Sequence, residues 1–500
     1  MLNDVYKQFK SGTDIRGVAS EGVPDQPVTL TDEVIERMAD GFILWLSEKV
    51  GKNPDELKIS VGRDSRISGP RLMALTTARF QRAGAQVLRC GLASTPSMFM
   101  TTVELGCDGA LQITASHHPF NRNGLKFFTR DGGLEGSDIE AILTFAQNGA
   151  CPAEKSGGVA EDIDYMSAYA RGLCEKIKSE VCAEDYDYPL RGFHIVVDAG
   201  NGAGGFYADK VLAVLGADIT GSRFLNPDGM FPNHVPNPED AAAMASIREA
   251  VLENHADLGV IFDTDVDRGG AVDSKGNEIN RNRLVAVAAA IALEGCEGGT
   301  VVTDSITSSG LKMFIEETLG GRHYRYRRGY KNVIDKAIAL NAQGVDCPLA
   351  IETSGHAAMR ENYFLDDGAY LCTKIIIKAA QLRREGRGLD ALTAALKAPM
   401  ESREIRYRIT EKDFRACGER IIADLTAYAA AQPGWNLADD NREGVRVSFD
   451  KDNGDGWFLL RLSVHDPIMP LNIESDSRGG VSVILGKLET FLKSVSGLEL

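Results

Sequence analysis

No two of the nine cysteines are spaced C-x-x-C, and the nine are scattered in odd number through 500 residues. The pattern excludes a zinc or redox cysteine motif and a paired disulfide framework, and it predicts a reducing, cytoplasmic setting. Long apolar runs are also missing. The longest, Leu284 to Leu293, falls far short of the ~18 residues that span a bilayer. Met1 to Lys10 has no apolar core of signal-peptide type, so neither export nor membrane insertion is expected. Positive charge is short: 55 lysines and arginines stand against 71 acidic residues, a net charge of −16. That balance excludes general binding to nucleic acid or anionic membranes, and any anion must be held by local basic groups.

What is present is the composition of a folded protein, 43% apolar and 25% charged, in a chain too long for one hydrophobic core. A unit of apolar strand, small polar turn, helix, glycine break and strand recurs loosely. It runs from Ile59-Ser60-Val61 to Val87-Leu88, from Ile195-Val196-Val197 to Ile219-Thr220, and from Val301-Val302-Thr303 to His323-Tyr324. Three widely spaced copies predict three similar α/β domains. After a helical stretch Leu389 to Leu396 and the Ala398-Pro399 break, the last hundred residues read as a smaller α+β unit: a strand Glu404 to Ile409, a helix from Asp413 to Ala430, and paired strands at Val445 to Phe449 and Trp457 to Leu462. With linkers at Gly149 to Pro152, Val272 to Gly276 and Lys397 to Met400, the expected domains are 1–152, 153–274, 275–398 and 399–500.

Two stretches carry chemistry. The apolar run Gly109 to Ile113 leads into Thr114-Ala115-Ser116-His117-His118-Pro119, closed by Asn123-Gly124-Leu125-Lys126. A serine where a buried strand spills into a loop is either a polar turn or an exposed nucleophile that can carry phosphate. The run Leu258 to Phe262 leads into Asp263-Thr264-Asp265-Val266-Asp267-Arg268. An extended backbone would throw the three carboxylates to one side, toward one hard cation. A calcium-binding helix-loop-helix would need glycine and glutamate where Arg268 and Ser274 stand. A solvated acidic turn would have no reason to leave an apolar strand with charges so close. A phosphate-carrying serine and a carboxylate cage for a divalent ion suggest phosphoryl transfer.

These stretches resemble the α-D-phosphohexomutase superfamily, whose active-site loop reads T-A-S-H-N-P followed by N-G-x-K and whose metal loop reads D-x-D-x-D-R. Here His118 replaces the usual Asn. The resemblance implies four domains around a central cleft, three α/β and one smaller α+β. It implies that magnesium is held by Asp263, Asp265, Asp267 and a phosphate oxygen on Ser116, while Arg268 and Arg16 offset charge. Arg16 lies in a glycine-flanked loop, Ser11 to Gly17, where backbone and guanidinium can both approach an anion. Lys126 and His117 are the implied proton handlers.

Farther on, Ile351-Glu352-Thr353-Ser354-Gly355-His356 resembles the family's sugar-specificity loop in its G-E-M-S-G-H form, with Ile351 and Thr353 as departures. Glu352, Ser354 and His356 are expected to read sugar hydroxyls. Arg461-Leu462-Ser463-Val464-His465-Asp466-Pro467 matches the phosphate loop R-P-S-G-T-E-P at Arg461, Ser463 and Pro467, so Arg461, Ser463 and His465 are expected to bind phosphate. Arg325, Arg327, Arg328 and Lys331 form a basic cluster, read either as a second phosphate holder or as a solvated face. The loop from Asn226 to His234 also resembles one of the family's, without an assignable chemistry.

The implied enzyme is a phosphoglucomutase/phosphomannomutase-type intramolecular phosphotransferase acting on a small phosphosugar, as a monomer or homodimer. It would interconvert hexose 1-phosphate and hexose 6-phosphate of glucose or mannose through a phosphoserine and a hexose 1,6-bisphosphate, with the fourth domain hinging to exclude water. The alternatives are an amino-sugar phosphate mutase, a bisphosphate-forming relative, and a non-catalytic phosphosugar-binding regulator.

Overall fold

The computed structural model describes residues 2–463 and 466–500. They form two compact units. The first comprises Met1–Asn280, Ser354–Ala358 and Leu365–Ala391, and the second Arg281–Thr353, Met359–Phe364 and Leu392–Leu500.

The first unit opens with an eight-stranded mixed sheet ordered Lys10–Ser11, Asp14–Val18, Arg122–Thr129, Gly109–Ile113, Lys58–Arg63, Gln86–Leu92 and Val159–Asp162, with Gly132–Gly133 paired to Arg122–Thr129. Helices Asp32–Val50, Gly69–Arg82 and Gly136–Gln147 pack apolar sides against Ile59, Val61, Leu111, Ile113 and Phe127 in one core. The longest of them is bounded by local chemistry. The Thr31 side chain accepts from Val34 N at its start, and left-handed Gly51 ends it. Strands Lys58–Arg63 and Gly109–Ile113 run parallel, so Asp64 and Thr114 to Ser116 emerge together at their carboxyl ends, where α/β sheets place their sites.

A second sheet pairs Ile195–Asp198 parallel with Leu258–Phe262, which pairs antiparallel with Gly269–Asp273 and then Glu278–Ile279. Every residue of Leu258–Phe262 is buried, and the strand delivers Asp263 to the site. Here the repeat departs from expectation. The return segment near Ile219 forms no strand and is tied to its neighbour by two isolated parallel bridges, His194 to Asp218 and Asp198 to Arg223. The break expected at Val272 to Gly276 falls inside the hairpin that joins Gly269–Asp273 to Glu278–Ile279. Val159–Asp162, past the break expected at 152, returns to the first sheet beside Gln86–Leu92.

In the second unit Arg322–Arg325, Thr300–Thr303 and Leu349–Ile351 are parallel neighbours, as the third copy of the repeat predicts. The C-terminal sheet is antiparallel and six-stranded, ordered Asn436–Leu437, Val445–Phe449, Gly456–Leu460, Ile468–Ser475, Glu401–Ile409 and Leu498–Glu499. Helices Phe414–Ala430 and Gly480–Leu492 complete its core. Buried Arg446 reaches from this domain to Ser305 O and Thr307 O at 3.0 and 3.1 Å. No helix among the described residues is long and apolar enough to cross a membrane. The fold is three α/β domains plus a smaller sheet-containing fourth.

Candidate active site

Ser116 sits just past the buried strand Gly109–Ile113 and takes a left-handed backbone, φ 49°, a conformation costly for a residue with a side chain. Surrounding bonds hold it there. Ser116 N donates to Thr114 Oγ1 at 3.0 Å, and Thr114 Oγ1 donates to Asp64 Oδ2 at 2.9 Å. Arg66, fully buried, donates to Ser116 O, to His118 O and Pro119 O at 2.7 Å, and to Arg122 O at 3.0 Å. Its Nε donates to Asp64 Oδ2 at 3.1 Å. One guanidinium thus cradles the loop by four carbonyls, which a lysine could not reproduce.

The aspartates converge by a route other than the extended run expected. Past Phe262 the chain turns, Val266 adopting a φ of 67°, and the turn brings carboxylate oxygens of Asp263, Asp265 and Asp267 within 4.8 Å of one another. All three are buried. Burial and mutual repulsion push Asp263 and Asp265 above the ordinary carboxylate range. Burial presses Asp267 the same way, but Lys126, His356 and Arg268 outweigh it and hold it well below. Lys126 Nζ donates to Asp267 Oδ2 at 2.9 Å, and Thr95 Oγ1 donates to Asp265 Oδ2. Asp265 Oδ1 and Asp267 Oδ1 are buried without a hydrogen-bond partner. Orphaned hard oxygens in a converging all-carboxylate set fit a small divalent cation.

The two loops meet at Arg268. Its Nη2 donates to Ser116 Oγ at 3.1 Å and faces His117 Nδ1 at 2.7 Å, and its Nε lies 3.3 Å from Asp263 Oδ2. Ser116 Oγ donates to Asp263 Oδ2 at 3.0 Å. Burial first, then the charge of Arg268, pushes His117 down to about 2, so its imidazole is neutral. Arg16 stands opposite Gly124 across the strand pair and donates to Asp14 Oδ2 at 2.9 Å. Its charge also bears on His117 and His118.

His356 lies beside the acidic turn, bridged to Arg268, with Nδ1 2.6 Å from Asp366 Oδ2 and 3.9 Å from Asp267 Oδ1. Burial lowers its affinity for a proton, but Asp366 and Asp267 raise it to about 9. The first unit thus gathers Arg16, Ser116, His117, Lys126, Asp263, Asp265, Asp267, Arg268 and His356, with Ser354 on the same short segment. Glu352, Arg461 and Ser463 belong to the second unit. There Glu352 Oε1 accepts from Gly329 N at 2.6 Å, and Ser463 Oγ accepts from Asp466 N at 3.3 Å. Arg461 Nε is buried without a hydrogen-bond partner, while Glu443 and Arg328 bear on its charge. His465 lies outside the described residues.

Two members of the basic cluster take separate acidic partners. Arg325 is buried, with Nη1 2.8 Å from Asp440 Oδ2, whereas Lys331 pairs with Asp335 at 2.9 Å. The sequence reading missed Asp64, Arg66, Thr95 and Asn237, whose Oδ1 accepts from Arg268 Nη1 at 3.0 Å. Asp64 and Arg66 were within reach, since they lie in the polar turn of the first repeat.

A serine loop on one α/β domain, facing a carboxylate turn and arginine on the next, defines a phosphoryl-transfer class of site. Models of the phosphoglucomutase/phosphomannomutase alpha/beta/alpha domains I, II and III match residues 7–150, 168–276 and 280–398. A phosphoglucomutase of Neisseria gonorrhoeae is 29% identical, covering 99% of this chain and 98% of that one. A phosphomannomutase/phosphoglucomutase of Pseudomonas syringae pv. tomato is 28% identical over 90% and 91%. The crystal structure of a phosphoglucomutase/phosphomannomutase family protein from Burkholderia thailandensis superposes with a TM-score of 0.80 at 25% identity, covering 99% and 98%. The chain belongs to the phosphoglucomutase/phosphomannomutase family of the α-D-phosphohexomutase superfamily, a family of mutase enzymes.

Proposed function

We propose that this phosphohexomutase interconverts hexose 1-phosphate and hexose 6-phosphate, with glucose or mannose as the sugar, through a phosphoserine at Ser116 and a hexose 1,6-bisphosphate. The observation that carries the reading is the position of Ser116 Oγ, 3.0 Å from Asp263 Oδ2 and 3.1 Å from Arg268 Nη2. In the forward step a sugar hydroxyl oxygen forms its bond to phosphorus as the Ser116 Oγ–phosphorus bond breaks; the hydroxyl proton leaves to a protein base, and Ser116 Oγ, the leaving oxygen, takes up a proton to become the free hydroxyl. The bisphosphate then returns its other phosphoryl group to Ser116 by the reverse of that step.

Asp263, Asp265, Asp267 and an oxygen on Ser116 would hold magnesium, which when bound neutralises charge on the moving phosphoryl group. Arg268 aims a guanidinium at the same oxygen, and Arg16 adds positive charge beside the histidines. Lys126, buried beside the carboxylates, would exchange a proton with the sugar hydroxyl. His117 turns Nδ1 to Arg268, so a neutral ring there presents its remaining N–H as a donor. Glu352, in the second unit, and Ser354 and His356, in the first, would read sugar hydroxyls, and Arg461 with Ser463, in the second, would hold the phosphate that stays behind. The buried Nε of Arg461 supports that last role, because a phosphate would supply the acceptor it lacks.

The test is conversion of glucose 1-phosphate and of mannose 1-phosphate to the 6-phosphates, with magnesium and trace glucose 1,6-bisphosphate, in wild-type and Ser116→Ala protein. Turnover in the wild type that is lost in the variant supports the reading. No turnover of these or of glucosamine phosphates in either protein sinks it and favours a phosphosugar-binding regulator.

A further inference from the structure

The loop from Asn226 to Pro238 lies outside the proposed chemistry, yet it is tied down more firmly than a connector requires. Its Gly229 packs so closely on the first domain that a Cβ would lie 2.5 Å from both Ser65 O and Ile67 N, so only glycine fits. The Phe231 ring lies 5.1 Å from the guanidinium carbon of Arg66, the same arginine that cradles the Ser116 loop. Asn233 Nδ2 donates to Asn201 Oδ1 at 2.7 Å.

His234 is the anchor. Its Nε2 lies 3.1 Å from both oxygens of buried Asp198, and its Nδ1 lies 2.9 Å from Val235 O. Both ring nitrogens face acceptors, the arrangement of an imidazolium. Asp198 is itself oriented by Ser246 Oγ at 2.6 Å and Gly200 N at 2.9 Å.

The anchored loop then presents Asn237. Its Oδ1 accepts from Arg268 Nη1 at 3.0 Å and from Glu239 N at 3.0 Å. Arg268 is buried, and its other two nitrogens face Asp263, Ser116 and His117. An alternative acceptor for Nη1 is Glu239 Oε2, at 3.8 Å. Without the Asn237 oxygen, the planar guanidinium has a reason to swing toward Glu239, which draws Nη2 away from Ser116 Oγ. An amide supplies the acceptor without another negative charge where Asp263 and Asp267 already stand.

We infer that Asn237 is a positioning residue for phosphoryl transfer: it fixes the plane of the Arg268 guanidinium against Ser116, and the Gly229 to Pro238 strap, anchored on Asp198 by His234, holds it in register. The inference rests on the mutase reading above. Positioning of this kind enters the rate and leaves ground-state sugar binding unchanged, since Asn237 acts through Arg268 and its side-chain hydrogen bonds reach none of Glu352, Ser354, His356, Arg461 and Ser463.

The experiment compares wild type, Asn237→Ser and Asn237→Asp in the magnesium-loaded hexose phosphate assay, with melting temperatures alongside. Serine keeps a cap for Glu239 N but is too short to reach Nη1, so it separates the turn from the arginine contact. Asn237→Ser is expected to lower kcat about 10- to 100-fold, the loss of a hydrogen bond to a charged group. KM should stay within about twofold and the melting temperature near wild type. Asn237→Asp restores the acceptor and is expected to recover kcat to within about fivefold of wild type. Phosphorylation of Ser116 by glucose 1,6-bisphosphate, followed by intact mass, should slow in the same order. Wild-type turnover with an unchanged Asn237→Ser defeats the inference alone, as does equal loss in both variants. Wild type that turns over no hexose phosphate defeats the mutase reading instead.

Discussion

Arg268 Nη2 donates to Ser116 Oγ at 3.1 Å, joining two residues 152 apart in the chain. The contact places a permanent cation at a hydroxyl that sits on strained backbone and faces the carboxylate turn. In the proposed transfer, charge that develops on that oxygen would be met by a donor already in place, which is the form of stabilisation that costs no reorganisation. The serine loop and the arginine come from different domains, so the site's quality depends on residues that hold each loop.

Arg66 is one such residue, and removing it should be costly. Arg66→Met leaves Asp64 buried without its cation and four carbonyls without a donor. The expected loss is about 3–5 kcal/mol, read as a lower denaturant midpoint. Arg66→Lys keeps the charge but not the fork, so it should recover only part of that stability and little of the mutase rate.

Gly124 faces backbone. A Cβ there would lie 2.3 Å from Ile15 O and 2.7 Å from Thr114 O. Gly124→Ala must part strand Asp14–Val18 from its neighbour or push Thr114, and the Ser116 loop with it. A destabilisation of about 1–3 kcal/mol is expected, with a fall in kcat larger than stability alone explains. An alanine variant as active as wild type would show that the loop tolerates the shift.

Asp265→Asn separates metal binding from folding. In metal-free protein it removes one charge from a buried, mutually repelling trio, so its thermal midpoint should equal or exceed that of wild type. Magnesium at about a hundred times its dissociation constant should stabilise wild type by about 2.7 kcal/mol and the variant by far less. Calorimetric titration with magnesium checks the same difference directly.

Glu474 gives the second unit a pH dependence. Burial raises its carboxyl from 4.5 to about 7, against the pull of Arg446 and the Trp457 hydrogen bond. Between those values the native state keeps a proton that the unfolded chain has lost, so stability should fall as pH rises from about 4.5 to about 7 and level off above. Unfolding midpoints across that range should slope downward in wild type and flatten in Glu474→Gln.

Much of this protein is written locally. The strand Val445–Phe449 follows from its own alternation, the helix Phe414–Ala430 starts within a residue of its expected point, and the three repeats come from their punctuation. Ser116 and the three aspartates stand out because each lies where an apolar run ends. Local pattern misjudged the aspartate backbone, which reads as extended but turns at Val266. It also missed Arg66, because an arginine in a polar turn reads as a surface residue until the sheet order buries it.

The sequence by itself determined most of the strands and helices and which side chains are candidates for chemistry, because backbone preference and apolar period are set by near neighbours. Only the tertiary structure decided who partners whom: Thr95 with Asp265, Lys126 with Asp267, Asn237 with Arg268, and Arg325 with Asp440 rather than with its basic neighbours. A buried charge takes whichever partner the fold brings within reach, and that reach is fixed by how sheets and loops assemble.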